Sequence, residues 1–127
     1  MRAARDRHAA MRRGVAAENL CVLALRLKGY AILDRRLRGR RGSGVGEIDI
    51  VARKGAVLAF IEVKARANEA AAAYALGWRQ RARLERAALL YLARHPELGG
   101  SQPRFDVMLV RPWRWPRHLI DAWREGD

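Results

Sequence analysis

The sequence has few residues that could build a disulfide framework or a soft-metal site. Cys21 is the only cysteine among 127 residues, which excludes a disulfide network, a zinc-finger pattern and a CxxC redox motif. The histidines, His8, His95 and His118, are scattered along the chain and have no metal-ligand spacing. A reducing compartment is therefore expected, and the cytoplasm is the natural one.

Long hydrophobic runs are also missing. No apolar segment is long enough to span a bilayer, and residues 1–13 lack the apolar core of a signal peptide. These 13 residues are predicted to form a basic N-terminal tail or the frayed start of a helix. The remaining residues, 14–127, have the length of one domain.

Acidic residues are few in comparison with basic ones. The chain carries 26 Lys and Arg against 13 Asp and Glu, a net charge of +13, and only Lys28, Lys54 and Lys64 are lysines. Such an excess favours a polyanionic partner, most simply nucleic acid, with an anionic membrane surface as the weaker alternative. A GC-rich genome would explain the choice of Arg over Lys, but it explains the excess of base over acid less well.

The segment from Gly46 to Arg66 predicts a β-hairpin around which the rest of the chain is arranged. Its strands are expected at about Glu47 to Arg53 and Ala56 to Arg66, with a tight turn at Lys54-Gly55. Because side chains alternate along a strand, three sets are each predicted to share one face: Glu47, Asp49 and Val51; Ile48, Ile50 and Ala52; and Phe60, Glu62 and Lys64.

Asp49, Glu62 and Lys64 can therefore converge on one side of the hairpin. Two neighbouring carboxylates repel each other unless a cation lies between them, and hard oxygen ligands suit Mg²⁺ or Mn²⁺. A lysine beside such a site could hold or deprotonate the water that attacks a phosphodiester. The alternative is that these charges are solvated on the outer face of a half-buried hairpin.

A helix is predicted from Gly14 or Val15 to Lys28, ended by Gly29. Glu18 lies on its apolar stripe with Cys21 and Leu25, where an unpaired carboxylate would be unfavourable. Glu18 is therefore a candidate fourth member of the site. It could equally be a first-turn residue that complements the helix dipole.

Further along the chain, two segments combine basic residues with structural signals. Residues 36–46 form an Arg- and Gly-rich loop that could clamp a phosphate backbone or simply be solvated. Trp78 to Arg94 predicts a second helix, with Leu84, Ala88 and Tyr91 on its apolar stripe. Its arginines, at positions 79, 83 and 86, lie on another face, where a phosphate partner would relieve their repulsion.

The C-terminal part begins with a predicted strand, Arg104 to Val110, and ends with a predicted helical turn at Leu119 to Arg124. Between them, arginines alternate with Trp113 and Trp115, a composition that suits base stacking but also suits packing of a terminal segment on the core.

The order helix, three strands, helix, strand, together with Glu18, Asp49 and Glu62-Val63-Lys64, resembles the PD-(D/E)XK nuclease superfamily. More closely, the chain resembles the UPF0102 (YraN-like) family of predicted endonucleases over roughly residues 14 to 123. The matching segments are Gly14-x-x-x-Glu18, Gly29-Tyr30-x-Ile32-Leu33, Gly46-Glu47-Ile48-Asp49-Ile50, Glu62-Val63-Lys64-x-Arg66, Arg86-Ala87-Ala88 and Arg104-Phe105-Asp106-Val107. Ile48 precedes Asp49 where the superfamily motif has proline.

The resemblance implies an α/β fold with a restriction-endonuclease-like core, in which helices flank a mixed sheet, and a single nuclease-like domain over residues 14–127. The chain is also similar to archaeal Holliday-junction resolvases. By that similarity Asp49 and Glu62 bind Mg²⁺ or Mn²⁺, Lys64 positions or activates the water, and Glu18 supports the site.

The function implied is Mg²⁺-dependent hydrolysis of DNA, including branched or junction DNA, for which a homodimer would suit symmetric cleavage. A non-catalytic nucleic-acid-binding module on the same fold is the alternative. The residues predicted to contact nucleic acid are Arg40, Arg41, Arg66, Arg79, Gln80 and Arg83.

Overall fold

A computed structural model describes residues 2–37, 47–65 and 77–123, with side chains described from Gly14 onward. The elements are α1 (Arg2–Leu27), β1 (Ala31–Leu37), β2 (Ile48–Lys54), β3 (Val57–Ala65), α2 (Trp78–Arg94), a 3₁₀ turn (Pro96–Leu98), β4 (Gln102–Val110) and β5 (Arg117–Trp123). None of the helices in these ranges is long and apolar enough to cross a lipid bilayer.

The five strands form one mixed sheet in the order β1-β2-β3-β4-β5. The pairs β1–β2, β2–β3 and β4–β5 are antiparallel, whereas β3 and β4 run parallel. A parallel neighbour needs a crossover connection, and α2 lies in the segment between β3 and β4. The predicted α/β fold with a mixed sheet is therefore observed.

Each face of the sheet carries one helix and one half of the core. On one face α2 contributes Leu84, Ala87, Ala88 and Tyr91, which pack with Phe60, Phe105 and Val107. On the other face α1 contributes Cys21, Val22, Ala24 and Leu25, which pack with Ile50, Ile61 and Met108. The apolar stripes predicted for the two helices thus point at opposite sides of the same sheet.

The predicted hairpin and helix ends are largely observed. Val51 lies opposite Phe60, and Ile50 opposite Ile61, and Gly55 takes a positive φ of 60° in the turn. At the end of α1, Gly29 has φ 94°, a conformation that favours glycine and ends the helix.

The helical backbone begins at Arg2, so the second of the two alternatives for the N-terminal residues, the start of a helix, is the one observed; Ala and Arg are strong helix formers and no proline interrupts residues 2–13. Two local predictions were wrong. The segment predicted as a terminal helical turn is β5, since β4 offers it an edge to pair with. Ile48 packs with the α2-side core instead of with Ile50, because the β2–β3 pairing extends only to Ile50 and Ile61.

Candidate active site

The candidate site lies where β2 and β3 pass the end of their paired region. The β2–β3 pairing ends at Ile50 and Ile61, so Asp49 and Glu62 are the next residue on each strand. Beyond that point Oδ2 of Asp49 accepts a hydrogen bond of 2.7 Å from the backbone amide of Val63. The carboxylate of one strand is therefore fixed by the backbone of the other, between Glu62 and Lys64.

The two carboxyl groups are close enough to share a hydrogen bond, and both are largely removed from water. Burial, followed by the charge of Asp49, raises the pKa of Glu62 to about 8. Burial also raises the pKa of Asp49, against the hydrogen bonds from Val63 and Glu62. Burial and mutual repulsion therefore disfavour ionisation of both carboxyl groups at once, and a cation between them would relieve this.

Lys64 supplies a positive charge beside this pair. Its Nζ lies 3.4 Å from Oε1 of Glu62, and the Lys64 and Glu62 side chains are only 13% and 11% exposed. The side-chain amide of Gln80, in the first turn of α2, donates to the same oxygen at 3.4 Å. The structure thus brings Asp49, Glu62 and Lys64 together, as the hairpin predicted, and adds Gln80 from the helix that covers this face.

Glu18 is buried on α1, and its partners are arginines of β1. Its Oε1 accepts a hydrogen bond of 2.8 Å from Nε of Arg35, and its Oε2 accepts one of 3.0 Å from Nε of Arg36. Its charge still reaches the site, because it contributes to the raised pKa of Asp49. The burial that the sequence predicted for Glu18 is observed, and two arginines compensate its charge in this structure.

Cys21 lies behind the site and is fully buried. Burial raises the pKa of its thiol to about 12, with smaller contributions from the charges of Asp49 and Glu18. A thiol that stays protonated is a poor nucleophile. The effect of both carboxylates on the pKa of Cys21 shows instead that this core residue lies close to the candidate site.

The donor set fits a hard divalent cation. Mg²⁺ is commonly bound by one or two carboxylates, with water and substrate phosphate completing its shell, and Asp49 and Glu62 are two such groups whose mutual repulsion a cation would remove. Among residues 2–37, 47–65 and 77–123, no three His, Cys, Asp or Glu side chains gather closely enough to hold a metal by themselves. The described residues would therefore supply only part of the shell of such a cation, and water or a bound ligand would supply the rest.

The residues predicted to contact nucleic acid fall into two groups. Arg79 and Arg83 are exposed on α2, in the same turns as the half-buried Gln80, and the Arg79 guanidinium lies 5.3 Å from the Trp78 ring centroid. The others, Arg40, Arg41 and Arg66, lie outside the described residues, as does most of the predicted loop 36–46. The described part therefore places a basic helix start beside the acidic pair.

Sequence reasoning missed a second polar cluster, centred on Asp106 on the α1 side of the sheet. The Asp106 side chain is fully buried. It accepts hydrogen bonds from Arg104 at 2.8 and 2.7 Å, from the Asp121 amide at 2.9 Å, and it lies 2.7 Å from Nε2 of His118. Arg104 also donates a hydrogen bond of 2.7 Å to the hydroxyl oxygen of Tyr30. The sequence signals were an acid within an apolar strand and its place in the segment Arg104-Phe105-Asp106-Val107, which carries the family resemblance.

The model of the uncharacterised protein family UPF0102 matches residues 17–110. The chain is 56% identical over 120 residues to a UPF0102 protein of Paramagnetospirillum magneticum, covering 94% of this chain and 93% of that protein. It is 55% identical over 116 residues to one of Parvibaculum lavamentivorans, covering 91% and 84% of the two chains. A third, of Methylorubrum extorquens, is 50% identical over 116 residues, with 91% and 88% covered.

Proposed function

The chain belongs to the UPF0102 family, and we propose that it is a divalent-metal-dependent endonuclease that hydrolyses phosphodiester bonds in DNA on a PD-(D/E)XK-type core. The observation that carries the proposal is the meeting of Asp49, Glu62 and Lys64 at one point of the sheet, with Asp49 bound to the amide of Val63. A protein that only binds phosphate gains nothing from two buried acids at its basic surface, because they repel the ligand.

In this proposal Asp49 and Glu62 hold Mg²⁺ or Mn²⁺. When bound, such an ion supplies Lewis-acid stabilisation of the charge that builds up on the phosphate oxygens. Asp49 is kept in place by the Val63 amide, and Glu62 is oriented by Lys64 and Gln80, which approach the same oxygen. These contacts pre-organise both carboxylates before substrate arrives.

Lys64 would hold the attacking water and offset the negative charge that develops on the phosphate. Its largely buried Nζ can donate both to Glu62 and to a water molecule in front of it. Low solvent access strengthens such interactions. Glu18, whose charge reaches Asp49, acts in support of the site rather than in contact with substrate.

The positive surface supplies substrate binding. Arg79, Arg83 and Gln80 at the start of α2, together with Arg40, Arg41 and Arg66, would contact the phosphate backbone, which arginine pairs with bidentately. The net charge of +13 is what such electrostatic binding requires. Branched or junction DNA is the proposed substrate shape, and a homodimer would allow symmetric cleavage.

The test combines a cleavage assay with a measurement of metal binding that needs no activity. Labelled linear, nicked, single-stranded and four-way DNA, with RNA counterparts, are incubated with Mg²⁺ or Mn²⁺. We expect cleavage by the wild type and its loss in Asp49→Asn, Glu62→Gln and Lys64→Gln. Glu97→Gln, which changes an exposed carboxylate elsewhere, is the charge-matched control and should cut normally.

Calorimetric titration of Mn²⁺ alone separates the roles of the three residues. Asp49→Asn and Glu62→Gln should lose metal binding, whereas Lys64→Gln should retain it. Absence of cleavage of every substrate, together with Mn²⁺ binding that Asp49→Asn leaves unchanged, contradicts the proposal. Salt-dependent binding of DNA without metal or cleavage would then assign the chain to a non-catalytic nucleic-acid-binding module.

A further inference from the structure

The connection between β4 and β5 presents tryptophan to solvent at the end of the sheet that carries the candidate site. Trp113 is fully exposed and Trp115 is 53% exposed. In contrast, Trp123, at the other end of β5, is buried and stacks on Phe105, with ring centroids 5.2 Å apart. The C-terminal segment is therefore anchored by Trp123, and its attachment does not explain the other two indole rings.

The register of the sheet fixes where this connection begins. β3 and β4 are parallel, with Lys64 opposite Leu109 and Ala65 opposite Val110. Neighbouring strands lie about 4.8 Å apart, so the chain leaves β4 one strand away from the residue that follows Lys64. Residues 111–116 therefore start at the rim of the site formed by Asp49, Glu62 and Lys64.

The backbone holds Trp113 in a conformation that folding does not favour. The amide of Arg114 donates to the carbonyl of Arg111 at 3.4 Å, which closes a turn with Pro112 and Trp113 at its centre. Trp113 has φ 59°, at the turn position where glycine is usual. A bulky residue with positive φ is strained, and here the side chain buries no surface in return.

The charge of the segment indicates what it contacts. Residues 111–117, RPWRWPR, contain three arginines and no acid, and Arg114 is exposed between the two exposed tryptophans. Exposed aromatic rings that alternate with arginine form the platforms on which unpaired bases stack while the guanidinium groups contact the backbone. Pro112 and Pro116 restrict the loop before binding, which reduces the entropy lost when a base stacks.

We propose that Trp113, supported by Arg114 and Trp115, is a stacking site for an unpaired base next to the phosphate that the candidate site would cleave. This inference rests on the proposed function for its position relative to the scissile bond, but not for the stacking itself. It deepens that function by naming the substrate feature: a nucleic acid with at least one unpaired nucleotide, at a tail, gap or branch, rather than an uninterrupted duplex.

The test measures binding in EDTA, where no cleavage occurs. A fluorescent single strand, a duplex with a single-stranded tail and the blunt duplex are titrated with full-length wild type and with Trp113→Ala, Trp113→Phe and Arg114→Ala, using DNA and RNA versions of each probe. Because a stacked base is worth about 1–3 kcal/mol, Trp113→Ala should weaken binding of the single strand and the tailed duplex about 5- to 150-fold, with the blunt duplex unchanged. Trp113→Phe should retain most of the affinity.

Two further readouts separate stacking from charge. Unlabelled single strand should quench the tryptophan fluorescence of the wild type, and Trp113→Ala should lose that part of the quenching. Arg114→Ala should weaken all probes alike and reduce the salt slope by about one phosphate contact. Thermal unfolding of each variant establishes that the fold is intact, and if Trp113→Ala is destabilised, Trp113→Ser in the same exposed position serves in its place.

The inference is overturned if Trp113→Ala changes the affinity for tailed and blunt probes equally, or changes neither. This outcome is independent of the proposed nuclease. If the protein cleaves DNA and Trp113→Ala does not change tail-selective binding, the nuclease proposal is supported and the stacking site is contradicted. If tail-selective binding needs Trp113 and no substrate is cleaved, the stacking site is supported and the nuclease proposal is contradicted.

Discussion

Asp49 is bound through its Oδ2 to the backbone amide of Val63, at 2.7 Å, so the first acid of the site is held by the residue between Glu62 and Lys64. One hydrogen bond thus couples the two strands of the hairpin beyond their regular pairing. The position of the Asp49 carboxylate therefore depends on the backbone of β3 as well as on the neighbouring Glu62 side chain. Substitutions at Asp49 can therefore separate its charge from its structural contact.

Asp49→Asn and Asp49→Ala should differ in stability although both lose the negative charge. The Asn side-chain oxygen can still accept the Val63 amide, whereas Ala leaves that amide without its acceptor. An unsatisfied buried donor costs about 1–3 kcal/mol, so Asp49→Ala should be less stable than Asp49→Asn by about that amount. Urea unfolding in EDTA measures the difference. Equal stability of the two variants would mean that water replaces the acceptor.

Metal should stabilise the wild type and not Asp49→Asn. A ligand that binds only the folded state raises the unfolding free energy by about 2.7 kcal/mol at a hundred times its dissociation constant. Thermal unfolding in Mn²⁺ and in EDTA should therefore differ for the wild type and coincide for Asp49→Asn. Glu97→Gln, in which the acidic pair is intact, should respond as the wild type does. A response retained in Asp49→Asn would place the metal elsewhere.

The pH dependence of stability should reflect the raised pKa of Glu62. Burial raises it to about 8 from the ordinary value of 4.5, so the folded state holds a proton that the unfolded chain releases. The associated stability is fully present below pH 4.5 and is lost as the pH rises through about 8. In EDTA the unfolding free energy should therefore fall between these values by on the order of a few kcal/mol.

Glu62→Gln is the control for this titration, because the amide cannot lose a proton. The variant should have a flatter stability profile between pH 4.5 and 8 and should be more stable than the wild type at pH 8. Denaturant titrations at several pH values give both quantities. A wild-type profile as flat as that of Glu62→Gln would show that folding does not raise the pKa of Glu62.

Glu18→Gln tests the role of the ion pairs with Arg35 and Arg36. The buried carboxylate accepts one charged hydrogen bond from each arginine, and such bonds contribute about 1.5–3 kcal/mol each when buried. Both arginines are partly exposed, which lowers their contribution, so a loss of about 1–2 kcal/mol is expected by urea unfolding. Cleavage should fall less than in Asp49→Asn. Abolished metal binding in Glu18→Gln would instead make Glu18 a direct ligand.

Asp106→Asn should be the most destabilising of these substitutions. Burial tends to raise the pKa of Asp106, but the hydrogen bonds of His118, Arg104 and the Asp121 amide outweigh it and lower that pKa. The ionised carboxylate therefore stabilises the fold above the ordinary pKa of an aspartate, and this stability is lost as the pH falls through the lowered value. Breaking a buried ion pair costs about 3–5 kcal/mol. Urea unfolding at pH 7 measures the loss, and a change below 1 kcal/mol would contradict it.

The sequence predicted the parts of the fold that depend on local periodicity. Strand alternation placed Phe60, Glu62 and Lys64 on one face, and the stripe of Leu84, Ala88 and Tyr91 identified the buried side of α2. The prediction failed where pairing with a distant strand decides the conformation. Residues 117–123 form β5 because they pair with β4. Ile48 packs with the core on the α2 side of the sheet because the pairing of β2 with β3 ends at Ile50.

The partners of buried charges could not be predicted in the same way. Glu18 meets Arg35 and Arg36, and Asp106 meets His118, through contacts between residues far apart in the chain. The same holds for tryptophan, since the residues around Trp113 suit both base stacking and packing on the core, and only the structure shows that Trp113 is exposed while Trp123 is buried. These outcomes depend on which surfaces the completed sheet leaves open.

The amino-acid sequence by itself determined the hairpin, the clustering of Asp49, Glu62 and Lys64 and the strongly positive charge, because side-chain alternation and ionisation are local properties. Tertiary structure alone decided how Glu18 is neutralised, how Asp106 is buried and where the Trp113 loop lies relative to the acidic pair. The physical reason is that a buried charge or an exposed ring is defined by what packs around it, and that is fixed only when strands and helices distant in the chain come together.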